Sequence, residues 1–256
     1  MEKGTMLKEE RHQKLLKVLA EKEFATVEEL SKSLLVSMPT IRRDLTELAR
    51  RKLIIRNHGG AMHIPTENVI APVDFRKSVN YKKKNLLARE AVKFALNNMV
   101  VFLDGSTTAS YLCDYLKGRP DIIVITNSLT TGAHLKSLGL RTYCLGGEVI
   151  GSSSSVGGAM AIETAANFNI DVMFFSASGV NEKGMIVDTS EKETELRAFL
   201  LKNAAVSVFL CDGSKFGHSA VYNIASLSEI DYMITDSPVP ESYPSPKKEI
   251  ILVEEK

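Results

Sequence analysis

The sequence predicts two units of different class: a small helical module closed by a β-hairpin, then a larger α/β unit on a mainly parallel sheet. Three observations predict this. The first 50 residues carry three short amphipathic patterns in close succession. From about residue 99 onward, short apolar runs alternate with helix-like stretches. The charge is also split: residues 1–62 hold 13 basic and 9 acidic side chains, residues 63–256 hold 19 and 22, although the whole chain of 256 residues is only +1. Such asymmetry suggests a basic binding module joined to a neutral or acidic partner domain.

The first helix spans about 6–20 and buries Leu15, Leu16 and Leu19. The second begins at Thr26, where Thr26-Val27-Glu28-Glu29 fits a capping box in which hydroxyl and carboxylate each satisfy an orphan amide. Its buried face is Val27, Leu30 and Leu34. The third follows almost at once, with Ser37 as N-cap and Pro39 tolerated in the first turn. Ile41, Leu45 and Leu48 form its inner face. Residues 53–62 change period and read as a hairpin with Gly59-Gly60 at its tip or exit. Residues 63–80, with Pro65 and Pro72, lack periodicity and read as a linker.

From Lys82 a helix runs to about Asn97, burying Leu87, Ala88, Ala91, Val92 and Ala95. Strands follow at Met99–Asp104, Ile122–Thr126, Arg141–Leu145, Asp171–Ala177, Ala205–Asp212, Asp231–Thr235 and Glu249–Val253, with helices at about 107–117, 128–137, 158–168 and 190–203. Near-continuous apolar strands separated by helices imply a parallel sheet covered on both faces. About 175 residues are ample for its core. Ser152–Ser155 reads as a mobile loop.

Composition excludes several classes. Charged residues make up 25% and hydrophobic ones 44%, as in an ordinary globular protein. No signal peptide or membrane span is expected, which makes the cytoplasm the working assumption. Cys113, Cys144 and Cys211 are widely spaced, each in or beside an apolar run, and read as reduced core thiols. No metal or cofactor is expected: no Gly-x-Gly-x-x-Gly follows a strand, and no His-Glu-x-x-His or Gly-x-Ser-x-Gly is present.

Three helices in about 45 residues, a tight turn before the third and a following hairpin match a winged helix-turn-helix. With Ile41, Leu45 and Leu48 inside, Pro39, Arg43 and Thr46 face outward and Arg42 lies on the flank. That set suits a major groove, with the arginines on guanine edges or phosphates and Thr40 on a phosphate. Ser37, Arg56 and His58 complete the candidate duplex-binding residues, and Arg50, Arg51 and Lys52 extend the positive stripe. A basic helix can also be a merely solvated face. The capped second helix and tight turn favour binding.

Four strand ends in the second unit carry polar loops. Asp104-Gly105-Ser106-Thr107-Thr108 combines a close turn with hydroxyls at a helix start, the layout of an anion site suited to phosphate. Thr126-Asn127-Ser128 repeats it with an amide able to bind a sugar hydroxyl. Gly146-Gly147 permits close approach, and Asp212-Gly213-Ser214-Lys215 places a carboxylate beside an ammonium. Each alone could be an ordinary cap or turn. Together, at the carboxyl ends of parallel strands where ligands collect, they suggest a phosphorylated polyol.

Phe24-Ala25-Thr26-Val27-Glu28-Glu29-Leu30, then Val36-Ser37-Met38-Pro39-Thr40-Ile41-Arg42-Arg43-Asp44-Leu45, then Ile55-Arg56-Asn57-His58-Gly59-Gly60-Ala61 resemble the DeoR family of bacterial transcriptional regulators, and the resemblance continues to about residue 236. It implies a helix-turn-helix from about Phe24 to Arg43 with Arg42 and Arg43 on DNA. It also implies an effector domain similar in fold to ribose-phosphate isomerase. Asp104, Ser106, Thr107, Thr108, Asn127, Gly147, Asp212 and Lys215 match positions expected around a sugar phosphate, as does Lys84. Pro39 and Arg197 depart from the family's usual residues, as does the order Gly105-Ser106. The implied protein is a repressor of a sugar-uptake or catabolic operon, relieved by a phosphorylated sugar and acting on operator DNA as a homodimer or homotetramer. The alternative is a sugar-phosphate isomerase-like enzyme using Asp104, Asp212 and Lys215.

Overall fold

The structure is a computed structural model that describes residues 7–22, 24–51, 53–56, 59–63, 73–150 and 154–254. The chain divides into two compact units between Val79 and Asn80.

The first unit runs α1 (Lys8–Lys22), β1 (Phe24–Thr26), α2 (Val27–Leu34), α3 (Met38–Arg50), β2 (Ile54–Arg56), β3 (Gly60–His63) and α4 (Val73–Ser78). Leu15, Leu19, Val27, Leu30, Leu34, Ile41, Leu45 and Leu48 close one core, as their helical spacing requires. The capping box forms in full. Thr26 Oγ1 accepts from the Glu29 amide at 3.1 Å while Glu29 Oε2 accepts from the Thr26 amide at 2.7 Å. The hairpin is present, and β1, which sequence reading missed, pairs antiparallel with β3 to give the order β1-β3-β2. Three residues are too few to show a period. Within the segment read as a linker, residues 73–78 form α4, and 64–72 lie outside the described residues.

The second unit runs α5 (Tyr81–Ala91), β4 (Val100–Leu103), α6 (Leu112–Leu116), β5 (Ile123–Thr126), α7 (Leu129–Ser137), β6 (Arg141–Cys144), β7 (Glu148–Ile150), β8 (Ser155–Gly157), α8 (Ala159–Ala165), β9 (Val172–Phe175), β10 (Gly179–Val180), β11 (Met185–Asp188), α9 (Glu191–Asn203), β12 (Val206–Cys211), β13 (Tyr222–Ser226), β14 (Tyr232–Thr235) and β15 (Glu249–Leu252). All seven expected strands fall into one sheet, ordered β15-β14-β12-β9-β4-β5-β6, and every pairing in it is parallel.

The apolar runs are continuous because both faces are covered. Phe102, Met173, Phe175 and Phe209 point into one core; Val101, Leu103, Phe174 and Val208 point into the other.

Two small antiparallel sheets, β7-β8 and β10-β11-β13, escaped the sequence reading. Ser155, read as part of a mobile loop, is instead in β8 and fully buried; residues 151–153 lie outside the described residues. Cys144 is exposed on the edge strand β6, whereas Cys113 and Cys211 are the buried thiols expected.

Candidate functional site

In the first unit α3 presents Pro39, Arg42, Arg43, Thr46 and Arg50 to solvent along one side. The hydroxyls on this face are engaged with their neighbours. Ser37, at the N-cap position, makes no side-chain cap, and its Oγ pairs with Thr40 Oγ1 at 2.9 Å. Thr46 Oγ1 donates to the Arg42 carbonyl at 2.7 Å and accepts from Arg56, which ties β2 to α3. His58 lies outside the described residues.

Behind that face is a charged cluster the sequence did not reveal. Asp44, next to Arg43, is 3% exposed and accepts from Arg11 on α1 and from His12, itself buried. Burial works against the Asp44 carboxylate, but hydrogen bonds from Arg11 and His12 outweigh it and hold the group below the usual carboxylate range. The recognition-type helix is therefore anchored by its inner carboxylate while its guanidinium groups remain outside.

In the second unit, parallel pairing brings the carboxyl ends of β12, β9, β4 and β5 side by side. Lys84 on α5 is buried, and its Nζ donates to Thr107 Oγ1 at 3.2 Å. Lys215 Nζ donates to Ser176 Oγ at 2.6 Å and to the Ala177 carbonyl at 2.8 Å. Asp212 Oδ1 accepts from Asn80 Nδ2 at 3.1 Å and from the Ser214 amide at 3.2 Å. The helix expected over about 107–117 is a 3-10 turn over Ala109–Tyr111 followed by the five-residue α6. So short an element has little macrodipole, and positive charge in this loop comes from Lys84.

Other expected residues are turned inward. Asp104 is fully buried; Oδ1 accepts from the Ser106 hydroxyl at 2.5 Å, and Oδ2 from Arg197 Nε at 2.9 Å. Thr126 is fully buried and its hydroxyl accepts from the Ser128 amide. Thr108 is buried as well. A Cβ at Gly105 would come within 2.8 Å of Ser155 Cβ, and one at Gly147 (φ +137°) within 2.7 Å of the Gly157 carbonyl. Both glycines are thus required by close packing. Asn127 Nδ2 donates to the Val156 carbonyl at 3.0 Å, while its buried Oδ1 has no hydrogen-bond partner among the described residues.

Arg197, whose role the sequence left open, is the hub of this region. It is buried, and besides Asp104 it contacts Asp188 at 2.9 Å and Glu193 at 4.0 Å. Glu193 accepts from the Ser155 hydroxyl at 2.7 Å. Burial opposes the guanidinium charge, but the three carboxylates outweigh it and raise its pKa. Burial likewise pushes Asp104 above the usual carboxylate range, whereas for Asp188 Arg197 and local amides overcome burial and hold it below. Only a signal across 93 positions, from Asp104 to Arg197, could have revealed this pair.

The arrangement can grip a duplex at one unit and an anion with neighbouring hydroxyl groups at the other. Two family models cover these units: the DeoR-like helix-turn-helix domain matches residues 11–67, and the DeoR C terminal sensor domain matches 79–237. The chain belongs to the DeoR family. Relatives extend over nearly the whole length. The glycerol-3-phosphate regulon repressor of Escherichia coli (strain K12) is 29% identical over 93% of this chain and 94% of its own. The HTH-type transcriptional regulator GolR of Listeria innocua is 33% identical over 90% and 91%. The L-fucose operon activator of E. coli (strain K12) is 34% identical over 90% and 96%. Among solved structures, a D-ribose-5-phosphate isomerase aligns over 53% of this chain and 54% of that one, at 17% identity and a TM-score of 0.41. These DeoR-family relatives are named as regulators of transcription, and this member is a DNA-binding transcriptional regulator and not an enzyme.

Proposed function

We propose that this DeoR-family regulator is a cytoplasmic repressor of a sugar-uptake or catabolic operon, released from its operator by a phosphorylated sugar. The meeting of Lys84 Nζ with Thr107 Oγ1, 3.2 Å apart at the carboxyl end of β4, carries the reading. A buried ammonium beside a hydroxyl suits a dianionic phosphate. Lys215, in the loop after β12, two strands along from β4, adds a second cation. Ser106, Thr107 and Asp212 are its companions at the phosphate and sugar hydroxyls, and Asn127 Oδ1, which has no partner among the described residues, offers a further acceptor to the sugar. Asp104, Gly105, Thr108, Thr126 and Gly147 shape the loops from behind. The relative named for the glycerol-3-phosphate regulon supports a phosphorylated ligand, and its name supports repression.

On the DNA side, Arg42 and Arg43 reach into the major groove, flanked by Ser37, Pro39, Thr40, Thr46, Arg56 and His58. A homodimer or homotetramer places two such units on half-sites in adjacent grooves. Effector binding, passed through residues 63–80, lowers operator affinity by about 1–3 kcal/mol, or about 5- to 150-fold. Titration of phosphorylated sugars into an operator-binding assay tests the switch. At least one should release the duplex; a full panel without effect would overturn the reading.

A further inference from the structure

The outward side of α3 ends in two apolar residues that the charge-based account of DNA binding leaves unused. Met38, at the first position of the helix, is 43% exposed, and Pro39 beside it is exposed as well. They lie on the turn preceding Arg42 and Arg43, so the four side chains form one continuous surface. The hydroxyls that border it are engaged: Ser37 with Thr40, and Thr46 with the Arg42 carbonyl and Arg56. Among the described residues, what the first two turns of α3 offer to base edges is the guanidinium groups of Arg42 and Arg43 and an apolar patch. In the major groove an apolar side chain finds one complementary feature, the 5-methyl group of thymine.

We propose that Met38 and Pro39 determine operator specificity by packing against thymine methyl groups, one or two base pairs from the positions reached by Arg42 and Arg43. The contact discriminates without a hydrogen bond. Removing a methyl buried between two apolar side chains should weaken binding about fourfold, which is ~0.8 kcal/mol at 1.4 kcal/mol per decade. The inference rests on DNA binding by α3 and is independent of any effector.

The experiment starts from duplexes selected out of a random pool by the purified full-length protein. Each thymine of the best duplex is replaced singly by deoxyuridine, which removes the methyl and nothing else. The natural chain should lose about fourfold at one or two thymines per half-site. Met38→Ala or Pro39→Ala should reduce the loss at those same thymines to less than twofold. Both side chains are exposed, so each variant should keep the circular dichroism of the natural protein. The proposal is overturned if no methyl matters to the natural chain, if the penalty persists in both variants, or if selection yields no thymine next to the arginine-contacted bases. The deoxyuridine series on the natural chain decides the matter even where a variant fails to fold.

Discussion

Arg11 holds Asp44 with two nitrogens, Nε at 2.5 Å from Oδ2 and Nη2 at 3.0 Å from Oδ1, and so fastens α1 to α3, the helix proposed to face DNA. Both side chains are largely withdrawn from water, at 13% and 4% exposure, which places the pair among buried ion pairs rather than surface ones. Asp44→Ala removes the buried carboxylate that Arg11 and His12 both engage and should destabilise the first unit by about 3–5 kcal/mol. Urea melts followed by circular dichroism should show an early transition; a melt like the natural protein's would refute the role. The pH dependence follows from the same pair. Because the folded carboxyl has a lowered pKa, its contribution is complete above the unfolded value of about 4 and is lost as the pH falls through the folded one. Acid should therefore weaken the natural unit more steeply than the Ala variant.

Leu35 closes α2 in the left-handed region (φ 55°, ψ 39°) and is 93% exposed. The conformation costs a non-glycine residue about 1–2 kcal/mol, and there is almost no burial to offset it. Glycine adds about 0.5–1 kcal/mol of chain entropy to the unfolded state. Leu35→Gly should thus stabilise the unit by about 0.5–1 kcal/mol, seen as a higher urea midpoint. A lower midpoint would mean that Leu35 makes a packing contribution its exposure does not reveal.

Arg43 is exposed on α3 beside the anchored Asp44. Arg43→Ala should weaken specific operator binding by about 1–3 kcal/mol if the guanidinium pairs with a guanine edge. Competition between operator and random duplex provides the measurement. Equal losses on both would place Arg43 on phosphate instead.

Thr107→Asp puts a carboxylate within reach of Lys84 Nζ, where the proposed phosphate would sit. The variant should bind operator as tightly as the natural chain yet show none of the 5- to 150-fold release expected on adding a phosphorylated sugar. Operator-binding curves with and without ligand decide it, and undiminished release would remove Thr107 from the site.

What could be read in the sequence depended on the range of the signal. The seven strands of the parallel sheet show as apolar runs because each is buried on both faces, and the Thr26–Glu29 capping box lies within four residues. Gly179–Val180 and Phe24–Thr26 are too short to display any period. Charged pairs were hidden for another reason. Arg11 with Asp44 and Arg197 with Asp104 are joined only by folding, and each member alone resembles a solvated surface residue. At the site, the lysines and hydroxyls stood out by residue type, whereas nothing local distinguished Asp104, which serves Arg197, from a carboxylate open to ligand.

The contrast among the three thiols offers a practical handle. Cys113 and Cys211 are enclosed, and burial pushes Cys211 up to about 12, so neither is reactive near neutrality. Cys144 alone is open to solvent, at the end of the edge strand. A maleimide dye applied near neutral pH, where lysine amines stay protonated, should therefore attach at one place in the natural chain, giving a homogeneous fluorescent reporter without any engineered cysteine.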